Sequence, residues 1–233
     1  MKKELPLVPS SDDVGFEARK VLRNCVSGVI GTVDRDEGYA YTSFGSIGIT
    51  WQGEPIFLWS DLSDHTQNAK QDPRVSLLCE QASHRSNPQA GARVTLVGTV
   101  RPCDDDVLKA QYFAKHPSAQ MYAGFDDFNF YAFTLEKAHS VGGFGKAVWV
   151  ERDHFFCAPD SADLFAKEQD QLLAGYDTLA SRLAGGAEAE LSRIDPDGID
   201  LRLKGRNLRL DFSKEVVSLD EARAEIELLL SKV

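Results

Sequence analysis

Apolar and polar positions along the chain first follow a helical period. Residues 14–25 place Phe16, Val21, Leu22 and Cys25 at helical spacing, which predicts an opening helix. A series of short apolar runs separated by turn residues follows. Val26–Val33 predicts a strand, and Asp36-Glu37-Gly38 predicts a turn. Tyr39–Ile49 predicts a second strand, interrupted at Gly45 and Gly48, where a bulge or the close approach of another group is expected. Gln52–Pro55 turns the chain into the strand Ile56–Ser60. Residues 65–71 are polar and helical in pattern, and strands follow at Val75–Gln81 and Ala92–Arg101, with the polar loop His84–Gly91 between them. Short strands at this spacing suit an antiparallel barrel.

Asp105–Lys115 predicts a helix with Val107, Leu108, Gln111 and Tyr112 as its apolar stripe. The run Asp104-Asp105-Asp106 is expected to cap it, since carboxylates suit a helix start, and Pro117 lies beyond its end. Asn129–Glu136 predicts a central strand. Its aromatic part, Phe128–Phe133, is apolar on both faces, which points to a subunit contact. Gly142–Ala147 is a glycine-rich turn into Val148-Trp149-Val150. The composition changes near residue 158. Leu164–Leu183 carries Phe165, Leu172, Tyr176, Leu179 and Leu183 on one helical face, and Ala184-Gly185-Gly186 stops it. Leu191–Leu210, with turn signals at Asp195–Gly198 and Lys204–Asn207, predicts a three-stranded meander. Leu219, Ala222, Ile226, Leu229 and Val233 mark a last helix. The predicted class is α+β: an antiparallel barrel with flanking helices over residues 1–157, then a small α+β domain over 158–233.

The 233 residues are 42 % hydrophobic, enough to bury a core. A net charge of −10 with no basic stripe argues against a nucleic-acid partner. No run approaches the ~18 apolar residues of a membrane span. The first residues hold two lysines but no apolar stretch of signal-peptide length, so a cytoplasmic protein is expected. Cys25, Cys79, Cys103 and Cys157 form no CxxC pair, which predicts buried free thiols rather than a zinc site or a disulfide framework. No metal site is expected.

The segment with the richest chemistry is Ser60–Asn68. A strand ends there in hydroxyls, one imidazole and one amide, just before a helix start. The first N–H groups of a helix lack internal partners and suit an anion. The alternative reading makes Ser63 or Asp64 an ordinary cap for residues 65–71. Among the other imidazoles, His84 lies in a polar loop, His116 ends a helix, and His154 sits at the domain junction. His139 precedes the glycine turn, where it can line a pocket.

Several motifs occur in one order: Gly28–Thr32, Thr42-Ser43, Ser60–Asn68, Asp72–Leu78, Arg93–Gly98, His116-Pro117, Phe125–Phe128 and Val141–Ala147. In this order residues 10–150 resemble the pyridoxamine 5′-phosphate oxidase-like split barrels that bind flavin mononucleotide (FMN). The elements His65-Thr66-Gln67-Asn68 and Gly142–Gly145 resemble the haem-utilisation branch of that family. The resemblance implies a split barrel, a homodimer, and a flavin at the subunit interface. It implies Ser60, His65 and Thr66 around the phosphate, and Thr42 and Ser43 along the ring or ribityl chain. Asn68 would orient the loop, Arg93 would be a nearby cation, and Gly143, Phe144 and Gly145 would come from the partner. Trp149 is placed for a flavin-edge contact. The activity implied is an FMN-dependent oxidoreductase; the alternative is a haem-binding or haem-utilisation protein without flavin turnover. Many flavin-binding relatives put Arg or Lys in and beside this loop; here it carries Asp61 and Asp64, and Gln67 stands where a cation is common in the branch. Residues 158–233 carry no His for an axial haem ligand, and that domain is expected to have no metal or haem ligand of its own.

Overall fold

The amphipathic opening segment forms α1 (Asp12–Asn24), with Phe16, Ala18, Val21 and Leu22 buried. The computed structural model describes residues 12–83, 85–142, 147–173 and 178–232. The chain divides into two units, Met1–Phe156 and Cys157–Val233.

In the first unit α1 is followed by β1 (Ser27–Val33), β2 (Ala40–Ser46), the short β3 (Gly48–Ile49), β4 (Pro55–Ser60), α2 (Asp64–Gln71), β5 (Arg74–Glu80) and β6 (Arg93–Pro102). Then come α3 (Asp106–Lys115), β7 (Phe128–Val141), β8 (Ala147–Glu151) and α4 (Arg152–Phe155). The strands form one antiparallel sheet in the order β2-β1-β5-β6-β7-β4-β3, with β8 added to β7. It curls around a core built from alternate positions: Ile30 on β1, Leu77 and Cys79 on β5, Val94 and Leu96 on β6. Rings of β4 and β7 stack inside it, with Phe57–Trp59 centroids 4.7 Å apart and Trp59–Tyr131 4.9 Å. This is the expected α+β split barrel.

The structure corrects three expectations. The two-faced apolarity of Phe128–Phe133 is satisfied inside one chain. Tyr131 and Phe133 face the barrel core, and Phe130 packs with Ile56, Leu58 and Tyr112 of α3 on the other side. The two-faced apolar pattern of that strand is thus accounted for by packing within the chain. On α3 the buried side is Gln111, Tyr112 and Lys115, while Val107 is 58 % exposed. And β7 runs on to Val141, because its polar residues alternate outward instead of ending the strand. Two expectations hold in detail. Asp105 caps α3, accepting from the N–H groups of Val107 and Leu108. A Cβ at Gly48 would lie 2.7 Å from the Tyr112 ring, which is the close approach expected there.

The second unit holds α5 (Pro159–Leu173), α6 (Leu179–Leu183), the meander β9 (Ala189–Asp195), β10 (Gly198–Leu203) and β11 (Arg206–Asp211), and α7 (Leu219–Leu230). One helix over residues 164–183 was expected; α5 and α6 are separate, and Tyr176 lies outside the described residues. Phe165, Leu172, Leu179, Ile194, Ile199, Leu201, Phe212 and Ile226 form the core. The Arg209 side chain, 3 % exposed, pairs with Asp195 at 2.7 Å, Asp200 at 3.2 Å and Asp211 at 3.3 Å. No helix among the described residues is long and apolar enough to cross a membrane.

Candidate functional site

Residues directly opposite each other in a sheet point to the same face. On the barrel this draws one line across six strands. Phe44 on β2 faces Val29 on β1, Val29 faces Leu78 on β5, and Leu78 faces Thr95 on β6. Thr95 faces His139 on β7, and His139 faces Trp149 on β8. Their chain neighbours Ile30, Leu77, Val94, Ala138 and Val150 are fully buried in the core, so this row lies on the outer face. Phe44 is 75 % exposed there and Val29 38 %. Alongside runs a more polar row, Thr42, Gly31, Ser76 and Val97, which lines an open groove of about 380 Å³ together with Arg74 and Glu136. A Cβ at Gly31 would lie 2.5 Å from the Ser76 hydroxyl, so the groove floor depends on that glycine.

The row ends in an aromatic and cationic corner. The His139 ring packs against Trp149 at 4.7 Å and 30°, and the Lys137 ammonium lies 4.6 Å from the Trp149 centroid. Burial, and next the Arg93 charge, push the His139 imidazole below its ordinary value, so the ring is neutral at pH 7. Its Nε2 is buried and has no hydrogen-bond partner among the described residues. A buried ring nitrogen left unpaired costs about 1–3 kcal/mol unless something else engages it. The corner thus offers a neutral nitrogen base, a flat indole and two cations.

Of the ten residues expected to hold a cofactor, seven are among the described residues, and they are spread over both faces of the barrel sheet. Thr42 and Arg93 lie on the outer face. Ser43 is opposite the inward-facing Ile30, and its hydroxyl is buried without a partner among the described residues. The loop before α2 and α2 itself cover the inner side of the barrel, and most of their polar groups are paired within the chain. Ser60 Oγ donates to Asp127 at 2.5 Å and accepts from Leu62 N–H. Asn68 donates to Thr32 at 3.1 Å and accepts from the backbone of Arg35 at 3.2 Å. Gln67 donates to the Asp61 carbonyl, Asp61 pairs with Lys70 at 2.8 Å, and Asp64 pairs with Arg35 at 3.1 Å. The two loop carboxylates are therefore neutralised by cations that sequence reading did not connect to them. Ser63 occupies the N-cap position of α2 but makes no side-chain cap bond.

His65 sets its ring edge-on to Trp59 at 5.0 Å. Burial pushes its imidazole below the ordinary value, with Asp64 opposing, so it is neutral at pH 7 rather than the cation a phosphate would want. Thr66 is fully buried, and its hydroxyl has no partner among the described residues. Gly143, Phe144, Gly145 and His84 lie outside the described residues. His116 meets the Ile47 carbonyl at 2.8 Å.

Two arrangements had no signal in residue spacing. One is the outer row itself, legible only through strand register. The other is in the second unit, where Cys157, Asp197 and Glu215 bring ligand-type atoms within 4.8 Å of one another. There the Cys157 thiol donates to Asp197 at 3.5 Å, and Glu215 accepts from Ala158 N–H.

Comparison with known proteins supplies a family. The chain is 30 % identical over 135 residues to a chloroplastic non-canonical haem oxygenase of Arabidopsis thaliana, covering 56 % of this chain and 41 % of that protein. It thus spans less than half the length of that relative. Among solved structures it is similar to a protein of unknown function from Agrobacterium tumefaciens str. C58, at TM-score 0.74 and 27 % identity, covering 97 % of this chain and 99 % of the other. It is also similar to a haem-binding protein from Mycobacterium smegmatis, at TM-score 0.60 and 27 % identity, covering 97 % and 98 %. Residues 9–157, the whole barrel, match the CREG beta-barrel family, and the chain belongs to that family.

Proposed function

We propose that this protein binds haem on the outer face of its barrel sheet and serves in haem utilisation, in place of the FMN-dependent oxidoreductase activity expected from the loop motif. The observation that carries this reading is the corner of His139, Trp149, Arg93 and Lys137 at the end of an exposed apolar row. A neutral imidazole is the usual axial ligand of haem iron, and carboxylate side groups of a porphyrin pair with guanidinium or ammonium. His139 is the imidazole on this face, and its unpaired Nε2 is a group for which iron is a suitable partner. Reaching it requires the covering Trp149 ring to turn aside, a rotamer change of an edge-strand side chain. Bound haem would supply the iron chemistry; the chain's own part is to ligate, to stack and to pair the carboxylates. The haem-binding relative of full coverage and the haem oxygenase relative support this ligand. The flavin reading finds less: the loop that would hold its phosphate presents paired side chains and a neutral His65.

The experiment is a pair of absorbance titrations of the full chain, one with haemin and one with FMN. A saturable shift of the Soret band with haemin, and no change in the FMN spectrum, is the expected result. Saturable FMN binding without haem binding would restore the flavin reading.

The same face supports a homodimer, because an apolar surface with a ring as exposed as Phe44 gains by self-association. Light scattering at micromolar concentration is expected to give a dimer mass. Phe44→Ser is expected to weaken the dimer about tenfold to thirtyfold, from roughly 1.5–2 kcal/mol of lost apolar burial. A monomer mass for the parent chain would contradict this.

A further inference from the structure

We propose that Cys25 and Cys79 form a reversible oxidation site that closes to an intrachain disulfide under peroxide. The two lie in different elements far apart in sequence, and the fold packs both against one core, with the Cys25 sulfur reaching the residue next to Cys79. Cys25 follows the last turn of α1, is half-buried, and points its Sγ at the Glu80 carbonyl of β5 at 3.6 Å. Cys79, the residue before Glu80, faces the core and is 1 % exposed. Gly28 of β1 makes room beside it: a Cβ there would stand 3.2 Å from the Cys79 sulfur. The Lys115 side chain, 8 % exposed, is anchored nearby by donating to the Arg23 carbonyl at 2.7 Å.

This arrangement divides the labour between the thiols. The hydrogen bond from Cys79 pushes the Cys25 thiol down, with the Glu80 backbone and the Lys115 charge adding to it, and burial and the Glu80 carboxylate opposing. The same hydrogen bond and burial push the Cys79 thiol up. Cys25 is thus the more acidic and the more accessible, the two conditions for reaction with peroxide. The Cys25 thiolate attacks one oxygen of hydrogen peroxide; the O–O bond breaks, and the departing hydroxide takes a proton to become water. Cys25 is left as a sulfenic acid. The Cys79 sulfur then attacks the Cys25 sulfur, the S–O bond breaks, and the leaving hydroxide takes the Cys79 proton. Two thiols lose two electrons in all, and peroxide becomes two waters. Closing the disulfide asks the Cys25 sulfur to turn from the Glu80 carbonyl to the sulfur of the preceding residue, at the ~2.05 Å of an S–S bond.

The test is peptide mapping of the full-length protein after mild hydrogen peroxide, without reduction. The expected product is a Cys25–Cys79 linked peptide lighter by two hydrogens, with two of the four thiols lost and both recovered by a dithiol reductant. In Cys79→Ala the disulfide is expected to vanish and Cys25 to be trapped as sulfenic acid by a carbon nucleophile. The proposal is overturned if Cys25 and Cys79 both stay as thiols while Cys103 oxidises. It is equally overturned if Cys25 passes to sulfinic acid in the parent chain without linking to Cys79.

Discussion

Replacing Arg209 by Leu is expected to unfold the unit Cys157–Val233 while leaving the barrel folded. Arg209 is buried, and its charge stays on despite the desolvation that opposes it, because Asp195, Asp200 and Asp211 surround it. Removing the guanidinium takes from Asp195, 1 % exposed, its paired contacts at 2.7 and 2.8 Å, while the Asp197 N–H at 2.9 Å and Arg193 at 3.9 Å stay beside it. Breaking a buried pair from one side costs about 3–5 kcal/mol, since the remaining charge is neither hydrated nor matched. A unit of this length holds roughly 4–12 kcal/mol in total. The loss is therefore comparable to the whole stability of the unit, and its melting temperature is expected to fall by roughly 15–30 °C. Calorimetry of the full chain reads this directly. The transition of the second unit should drop or disappear and that of the barrel should stay. If both move together, the two units do not fold independently.

His139→Ala is expected to weaken haem binding by roughly a hundredfold, the upper range for losing a group that holds or orients a metal. The fold should tolerate it, because the change also removes a buried nitrogen that has no hydrogen-bond partner among the described residues. The pH dependence follows in sign. Burial and Arg93 hold the His139 imidazole below its ordinary value, so ligation persists through neutral pH and is lost as pH falls through that lowered value. Arg93→Ala removes one of the two effects that lower it. It should therefore move the acid edge of binding to higher pH and weaken the pairing of haem carboxylates as well. Haemin titrations of the parent and both variants across pH 5–8 read all three effects. An unchanged affinity in His139→Ala would remove this residue from the site.

Most strands were legible because one face of each is buried, so alternation survives in the sequence. The meander turns at Asp195–Gly198 and Lys204–Asn207 and the cap at Asp105 were legible because turn and cap chemistry is local. What was not legible depends on register. Thr42 and Ser43 look like one polar pair in sequence, but adjacent strand residues point to opposite faces, and only the pairing of β1 with β2 says that Thr42 is the outer one. The line from Phe44 to Trp149 needs five successive strand pairings, none of which residue composition states. The loop Ser60–Asn68 looked available for an anion because Arg35 and Asp127 reach it from elsewhere in the chain, and Lys70 folds back on Asp61 from the end of α2. The helical pattern over 105–115 misassigned Val107, because the face of α3 that packs on β3 and β4 is set by Tyr112 meeting Gly48.

Outer face and loop are separated most directly by one measurement: haemin affinity, read from the Soret band, in Thr95→Glu and in the double variant His65→Ala, Thr66→Ala. Thr95 sits between Leu78 and His139 in the middle of the outer row, half-buried and outward-facing, so a glutamate there sets a carboxylate beneath the bound ring without entering the core. The double variant empties the loop and leaves the outer row untouched. Haem on the outer face requires Thr95→Glu to lose at least tenfold in affinity, about 1.4 kcal/mol, while the double variant binds as the parent does. Full affinity in Thr95→Glu together with a loss in the double variant would contradict it and return the ligand to the loop.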